Sequence, residues 1–226
     1  MSDILVIGDT HFPFIHKPTL SKILEHLEKV KKKPDYIVQI GDLYDFYSFS
    51  RFPRNQNIVT PQEEVLTGQQ GAEEMWKAIK KRAPSAVCYQ MRGNHCDRPM
   101  KRLKEVAPEL QCLFKIDDLW KFKGVCTVLD SREELVINGI VFIHGYRSKL
   151  GDHAAYTRNK TVCGHSHRGG VIYLPKFGHK EMIWELNAGY VADPAADPLK
   201  YSQQKFNNWT HGFGIIDALG PRFVPL

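Results

Sequence analysis

The first third of the chain alternates between short apolar runs and apolar positions at helical spacing. Residues 4–7, 36–40 and 86–91 are largely apolar runs, typical of strands that are buried on both faces. Five apolar residues lie on one helix face between the first two runs, namely Leu20, Ile23, Leu24, Leu27 and Val30. Pro34 ends that helix, and a second helix is predicted over residues 63–82. This alternation predicts parallel strands joined by helical crossovers.

After about residue 124 the apolar runs become shorter and the turns between them briefer. Strands are predicted over residues 125–129, 135–137, 140–143, 161–163, 171–174, 182–186 and 213–216. Asn138-Gly139 is a strong signal for a tight hairpin between two of them. The whole pattern therefore predicts an α/β fold in which two packed sheets are flanked by helices.

Two long segments do not fit this alternation. Residues 46–60 are rich in aromatic and basic side chains, and residues 193–209 combine two Asp-Pro turns with aromatic residues. Segments of this length in compact domains are usually functional or mobile. We therefore expect one domain over residues 1–226, with residues 46–60 and 193–209 as lid segments.

The composition is that of an ordinary globular protein, with 42% hydrophobic and 25% charged residues among 226. There is no apolar stretch long enough to cross a bilayer and no basic N-terminal region of a signal peptide, which predicts a cytoplasmic protein without a membrane contact. The five cysteines form no C-x-x-C pair, so reduced thiols are expected. The net charge of +6 suits an anionic substrate but does not specify one.

Polar residues follow five of the predicted strands. The sequences at these positions are Gly8-Asp9-Thr10-His11, Gly41-Asp42-Leu43-Tyr44-Asp45, Arg92-Gly93-Asn94-His95, His144-Gly145 and Gly164-His165-Ser166-His167. Ligands of open parallel sheets bind at the carboxyl ends of the strands. Asp, His and Asn without Cys suit hard or borderline divalent ions. Any one of these motifs could arise by chance, but five in order, each after a strand, predict a metal site.

The order D-x-H, G-D-x-x-D, G-N-H, H-G, G-H-x-H resembles the calcineurin-like metallophosphoesterase superfamily between Asp9 and His167. The resemblance implies a four-layer αββα sandwich of two mixed sheets flanked by helices. It also implies two divalent metal ions, for which we expect manganese, with Fe, Zn, Ni or Mg as alternatives. By resemblance Asp9, His11 and His167 hold the first ion, Asn94, His144 and His165 hold the second, and Asp42 bridges both.

The same resemblance implies a hydrolytic mechanism. A hydroxide that bridges the two ions attacks phosphorus, and His95 acts as general acid toward the leaving oxygen. Asp45 matches the carboxylate that orients this histidine. Asp97 lies near the turn that carries His95, but its neighbours give it no firm role. No role is assigned to five histidines that match no position of the family, namely His16, His26, His153, His179 and His211.

Arg92 precedes the G-N-H motif, as in the branch that contains protein serine/threonine phosphatases and dinucleoside tetraphosphatases. It could bind a phosphate oxygen, or it could pair with structural carboxylates; both interpretations stay open. After Asp45 that branch continues with Arg-Gly, whereas this chain has Phe46-Tyr47. The difference removes a phosphate-binding arginine and disfavours a protein phosphatase.

The expected substrate is a phosphomonoester or phosphodiester that resembles a nucleotide. Arg92, Phe46, Tyr47 and Arg51 are the predicted substrate-binding residues, because aromatic and basic side chains can stack on bases and attract phosphates. A lid that packs its aromatic residues into its own core is the competing interpretation. A DNA or RNA nuclease, a protein phosphatase and a non-catalytic scaffold remain as alternatives; because His95 and every ligand position are filled, the scaffold is the least favoured. The oligomeric state stays open.

Overall fold

The computed structural model describes residues 2–52, 58–114, 116–127, 130, 133–175, 181–202 and 208–226. The strands are β1 (Ile4–Ile7), β2 (Tyr36–Gln39), β3 (Val87–Gln90), β4 (Val125–Thr127), β5 (Leu135–Ile137), β6 (Ile140–Phe142), β7 (Thr161–Cys163), β8 (Gly170–Pro175), β9 (Met182–Asn187), β10 (Gly212–Asp217) and β11 (Gly220–Pro225). The α-helices are α1 (Lys17–Lys29), α2 (Pro61–Arg82), α3 (Arg98–Val106) and α4 (Asp152–Thr157). Short 3₁₀ helices cover Tyr47–Phe49, Pro108–Leu113, Ile116–Trp120 and Asp197–Ser202.

The first sheet has six strands in the order β11-β10-β1-β2-β3-β4. Strands β1 to β4 are parallel, as the alternation of strands and helices predicts, whereas β10 and β11 form an antiparallel hairpin at one edge. Because β1, β2 and β3 run in the same direction, the residues that follow them emerge at one edge of the sheet.

The second sheet has five strands in the order β5-β6-β7-β9-β8. Its centre, β6, β7 and β9, is parallel, and antiparallel strands close both edges. Asn138 and Gly139, both at positive φ, make the predicted tight turn between β5 and β6. The segments after β6 and β7 therefore also leave the sheet from one edge.

Alternating side chains of β1 divide the core into two layers. Ile4 and Val6 pack between the two sheets, against residues such as Phe142 and Leu186 of the second sheet. Leu5 and Ile7 point to the other face, where α1 and α2 cover the first sheet. Helix α4 packs on β7 and β9 of the second sheet. The predicted αββα sandwich of two mixed sheets is confirmed.

Several boundaries differ from the predicted ones. Helix α2 begins at Pro61 rather than at residue 63, because Thr60 and Glu63 form a reciprocal capping box and Pro61 occupies the first turn. Strand β4 ends at Thr127; residues 128 and 129, which the sequence also placed in this strand, lie outside the described residues. Among the helices of the described residues, none combines the length and the apolar character that a membrane span needs.

Candidate metal centre

Seven polar side chains meet where five strands of the two sheets end. Asp9 and His11 follow β1, Asp42 follows β2 and Asn94 follows β3, whereas His144 follows β6 and His165 and His167 follow β7. Four of the seven have backbones in the left-handed region, namely His11 (φ 50°), Asp42 (φ 45°), His165 (φ 64°) and His167 (φ 58°). This conformation is unfavourable for residues other than glycine and concentrates at functional sites.

Two glycines make the close approach of these turns possible. Gly41 has φ 119°, and a Cβ there would lie 2.5 Å from Nδ1 of His144. At Gly93 a Cβ would lie 2.1 Å from Oδ1 of Asp42. The glycines of the G-D and G-N-H motifs thus allow ligand side chains from different strands to pack against the backbone.

Asp9, His11 and His167 form the first cluster. Nε2 of His167 lies 3.0 Å from Oδ2 of Asp9 and 3.1 Å from Nε2 of His11. Nδ1 of His11 donates a hydrogen bond to Asp45, which leaves the lone pair of its Nε2 directed at the cluster. All three side chains are buried, and their ligand atoms lie within 4.8 Å of one another.

Asp42, Asn94, His144 and His165 form the second cluster. Nε2 of His144 lies 3.1 Å from both Oδ2 of Asp42 and Oδ1 of Asn94, and Nδ1 of His165 lies 2.8 Å from the same Asn94 oxygen. Asp42 also accepts the backbone N–H of His95 through its Oδ1, over 2.8 Å. The structure therefore brings together all seven residues that the sequence singled out as ligands.

The charges in the second cluster favour a cation. Burial opposes a charge on His144, but the carboxylates of Asp42 and Asp9 outweigh it and raise the pKa of His144 to about 9. Nδ1 of His144 already donates to the carbonyl oxygen of Ile40, so the two oxygens that face its Nε2 require a second proton or a metal ion there. Burial and the neighbouring His144 lower the pKa of His165 to about 4, which keeps this ring neutral and able to bind a metal.

The donor set fits two divalent ions. Oδ1 of Asp9 is buried and has no hydrogen-bond partner among the described residues, although a buried carboxylate oxygen is costly to leave unpaired. Carboxylate, imidazole and amide donors are ligands for ions such as Mn²⁺, Fe²⁺ and Zn²⁺. Both clusters can therefore hold a metal ion.

Asp45 lies between His11 and His95. One of its oxygens accepts from Nδ1 of His11 over 2.8 Å and lies 3.3 Å from Nδ1 of His95. Burial opposes ionisation of Asp45, but His95 and His11 outweigh it and hold the pKa of the carboxyl below its ordinary value. The structure thus gives Asp45 the contact with His95 that the resemblance implies, and a second contact, with a ligand of the first cluster, that the sequence did not predict.

Arg98 is a site residue that sequence reasoning missed. Nη1 donates to the carbonyl oxygen and to Oδ1 of Asp45, and Nη2 lies close to Nε2 of His95, each over 2.9 Å. Arg98 is the first residue of α3 and comes three positions after His95, within one helical turn of the G-N-H motif. A basic residue at this spacing is the signal that could have revealed it.

Arg92 pairs with carboxylates. Its guanidinium reaches Asp97 and Asp117, both over 3.2 Å, and stacks on the ring of Trp120 at 4.5 Å. Only 8% of Arg92 is exposed. Of the two interpretations of this arginine, these contacts favour the structural one.

The predicted substrate-binding residues of the first lid segment occupy different environments. Phe46 is 1% exposed and packs on Tyr44 and Trp120, so the prediction that it contacts substrate is wrong; burial of a large apolar ring stabilises the start of the segment instead. Tyr47 is half-buried, and its backbone N–H donates to Glu64. Arg51 is exposed, whereas residues 53–57 lie outside the described residues.

A cavity of about 240 Å³ lies over the two clusters and is lined by Asp42, His95, His165 and His167 among others. Trp209, at the end of the second predicted lid segment, also lines it and packs edge-on against His167, with ring centroids 4.3 Å apart. Residues 203–207 of this segment lie outside the described residues. The cavity is therefore bordered by side chains of both clusters and by His95.

Comparison with known proteins agrees with this geometry. The gene 54 proteins of Mycobacterium phages D29 and L5 are each 26% identical to this chain, over 99% of its length and 93% of theirs. The family model described as calcineurin-like phosphoesterase matches residues 2–166, well over half of the chain. The protein belongs to the calcineurin-like phosphoesterase family.

Proposed function

We propose that the protein hydrolyses a phosphoric ester with the help of two divalent metal ions, for which manganese is the first candidate. Asp9, His11 and His167 would hold one ion, Asn94, His144 and His165 the other, and Asp42 would contact both. The observation that supports this most strongly is the convergence of these seven side chains from five strand ends, four of them in the left-handed conformation. When bound, such ions polarise phosphoryl oxygens and lower the pKa of a coordinated water.

His95 is the proposed proton donor to the leaving oxygen. Its Nδ1 faces Asp45, which directs Nε2 toward the cavity over the clusters. Because a guanidinium only donates hydrogen bonds, the contact from Arg98 requires an unprotonated Nε2. Arg98 must therefore leave His95 before that nitrogen can carry the proton. Its partial exposure leaves it free to turn toward a phosphate oxygen of the incoming ester.

A nucleotide-like ester is the proposed substrate. Trp209 at the cavity offers an aromatic face near the clusters, and Arg51 and Arg98 offer positive charge on the side of α3. Arg98 also supplies a guanidinium beside Asp45, where the protein phosphatase branch has an arginine directly after that aspartate. Arg98 thus replaces the guanidinium that the sequence lacks after Asp45, and the ring of Trp209 at the cavity is what favours a nucleotide-like ester over a phosphoprotein.

Replacement of His95 tests this proposal. Metal-stripped protein is reloaded with Mn, Mg, Ni or Zn and assayed with bis-para-nitrophenyl phosphate and with nucleoside monophosphates. We expect His95→Ala to lower kcat by about 10²- to 10⁴-fold, the range that a general acid contributes, while metal content and thermal unfolding stay as in the wild type. Near wild-type rates in this variant would remove His95 from the mechanism.

A further inference from the structure

A basic groove runs between α3 and the first lid segment and ends at the metal centre. Its volume is about 630 Å³, and Asn94 of the second cluster lies in its wall. Five cations line it: Arg51, Arg98, Lys101, Arg102 and Lys104. Glu105 is the acidic residue among those that line it, and it lies 3.4 Å from Arg102. The groove therefore carries a net positive charge, because its cations are clustered rather than scattered over the surface.

The positive charge of α3 is concentrated on one face. Arg98, Lys101 and Arg102 are spaced three and four positions apart, so they lie side by side on the helix. The opposite, apolar side of α3 borders a separate cavity that includes Leu103 and Val106. Because the basic face is turned toward the lid and the metal centre rather than away from them, a ligand between α3 and the lid would contact several cations at once.

Two of these cations form no ion pair within the part of the chain that the structure describes. Arg51 and Lys104 are both exposed, and neither forms an ion pair with a described residue. By contrast, Arg98 is bound to Asp45, and Lys101 lies 3.6 Å from Asp97. Arg51 and Lys104 can therefore bind phosphate groups without breaking an ion pair with a described residue.

An aromatic ring lies beside the cations. Phe52 is 62% exposed, and the guanidinium of Arg51 stacks on it at 5.2 Å from the ring centroid. Exposed aromatic rings next to a basic groove are how proteins bind single strands, because the bases of a single strand can stack on the ring while the cations follow the backbone. A duplex hides its bases from such a ring.

We propose that this groove binds a single-stranded nucleic acid and leads its phosphodiester backbone to the metal centre. The inference rests on the proposed function and names its substrate class: a polymer with several phosphates rather than an isolated nucleotide. Arg51 and Lys104 bind phosphates beyond the one that reaches the metal centre, Phe52 stacks on a base, and Arg98 lies at the inner end of the groove beside His95.

The test is a binding measurement that does not depend on hydrolysis. A fluorescein-labelled 12-nucleotide single-stranded DNA is titrated with protein in EDTA between 50 and 300 mM NaCl, and anisotropy gives the affinity. The double variant Arg51→Gln/Lys104→Gln is compared with Lys31→Gln/Lys81→Gln. The control removes two exposed lysines at the opposite edge of the sheet, Lys31 just after the end of α1 and Lys81 in the last turn of α2.

We expect the groove variant to bind at least tenfold more weakly at 100 mM NaCl. The slope of the logarithm of the association constant against the logarithm of the salt concentration is negative. Its magnitude should fall by about 1.4 in the groove variant, since two phosphate contacts are lost and each contributes roughly 0.7 with a single strand. The control variant should match the wild type in both quantities. With Mn²⁺ present, the groove variant should lose more activity on the oligonucleotide than on bis-para-nitrophenyl phosphate.

Three results would overturn the proposal. The groove variant could match its control in affinity and slope, or the wild type could bind the oligonucleotide no better than a mononucleotide. Poly-L-glutamate could displace the DNA as effectively as unlabelled oligonucleotide, which would assign the groove to an acidic protein. If the groove binds DNA but the Mn²⁺-loaded protein cleaves no ester at all, the proposed hydrolase function is wrong. A single strand would then be a ligand of the groove and not a substrate.

Discussion

Arg98 connects the two side chains on which proton transfer to the leaving group would depend. It donates twice to Asp45, and Asp45 in turn faces Nδ1 of His95, so removal of Arg98 loosens the carboxylate that orients the proton donor. We expect Arg98→Gln to lower kcat about 100-fold, and Arg98→Lys, which keeps a charged donor but not the fork, to lower it about tenfold.

Leaving groups separate a positioning role of Arg98 from a merely structural one. If Arg98 positions the proton donor, the loss in Arg98→Gln should be larger for a nucleotide ester than for a para-nitrophenyl ester, because the better leaving group needs less protonation. Equal losses with both esters would show that the variant disturbs the site without acting through His95.

Asp45 contacts the metal centre as well as the proposed proton donor. It accepts the Nδ1 proton of His11, and this bond directs Nε2 of His11 toward the first cluster. We expect Asp45→Asn to weaken metal binding about 10- to 100-fold in addition to its effect on turnover, because an amide in this place can turn an N–H toward His11. Titration of metal-stripped protein with Mn²⁺ measures this. An unchanged Mn²⁺ affinity in Asp45→Asn would show that Asp45 acts on His95 and does not support metal binding through His11.

For single residues, the sequence predicts those positions that depend on the residue type and on where a strand ends. The seven ligand positions follow from polar residues placed directly after strands, and the structure brings all seven together. Phe46 was misjudged because a pattern does not show which side of a turn faces the core. Arg98 was missed because Asp45 comes close to the turn that carries His95 and Arg98 only after two separate segments have packed together.

Helix α4 and the segment after β6 depend on one buried carboxylate. Glu185 of β9 accepts the backbone N–H groups of Gly151, His153 and Ala154 at the start of α4. His153 in turn accepts the N–H groups of Tyr146 and Arg147, just after the ligand His144. These contacts hold the turn that carries His144 against the second sheet.

Replacement of Glu185 should therefore destabilise the protein. We expect Glu185→Gln to cost about 3 kcal/mol of unfolding free energy at pH 7, the value of a buried charged hydrogen-bond acceptor. The exposed Glu181→Gln is the control and should change stability by less than about 0.5 kcal/mol. Urea unfolding in EDTA measures both variants, and equal stabilities would contradict the role of Glu185.

The difference in unfolding free energy between the wild type and Glu185→Gln should depend on pH, and the direction of this dependence follows from the pKa of Glu185. Burial opposes ionisation of Glu185, but the His153 ring and the N–H groups of Gly151 and Ala154 outweigh it and lower the pKa of the carboxyl. A lowered pKa contributes stability that is fully present above the ordinary value of 4.5 and is lost as the pH falls through the folded value. The gap between wild type and Glu185→Gln should therefore narrow below pH 4.5.

The elements that the sequence did not predict have weak local signals. Strand β11 contains Pro221 and Pro225, which disfavour a strand unless it lies at an edge, and β10 is its one partner among the described strands. Helix α3 follows the G-N-H turn directly and has an apolar side with Met100, Leu103 and Val106, but this side is short and none of its residues is fully buried. By contrast, α1 and α2 bury apolar faces against the first sheet, and their spacing predicts them well.

On the scale of the whole molecule, the metal centre joins the two sheets. Asp9 and His11 come from the first sheet and share a cluster with His167 of the second. Asp42 and Asn94 of the first sheet meet His144 and His165 of the second. The sequence predicts both sheets, but their mutual packing, which aligns the two edges, depends on long-range contacts that no local pattern contains.

Because Asp42 lies in the second cluster and its carboxylate also lies within 4.8 Å of a ring nitrogen of His11 in the first, its replacement should affect the whole centre. The most direct measurement of the central claim is the number of metal ions per chain. Wild-type protein and Asp42→Asn are stripped of metal, equilibrated with Mn²⁺, dialysed and analysed for metal content. We predict two ions per wild-type chain and a loss of both in Asp42→Asn. Cooperative unfolding of Asp42→Asn would show that the variant is still folded. A wild-type chain that retains no ion, or an Asp42→Asn variant that retains two, would contradict the account.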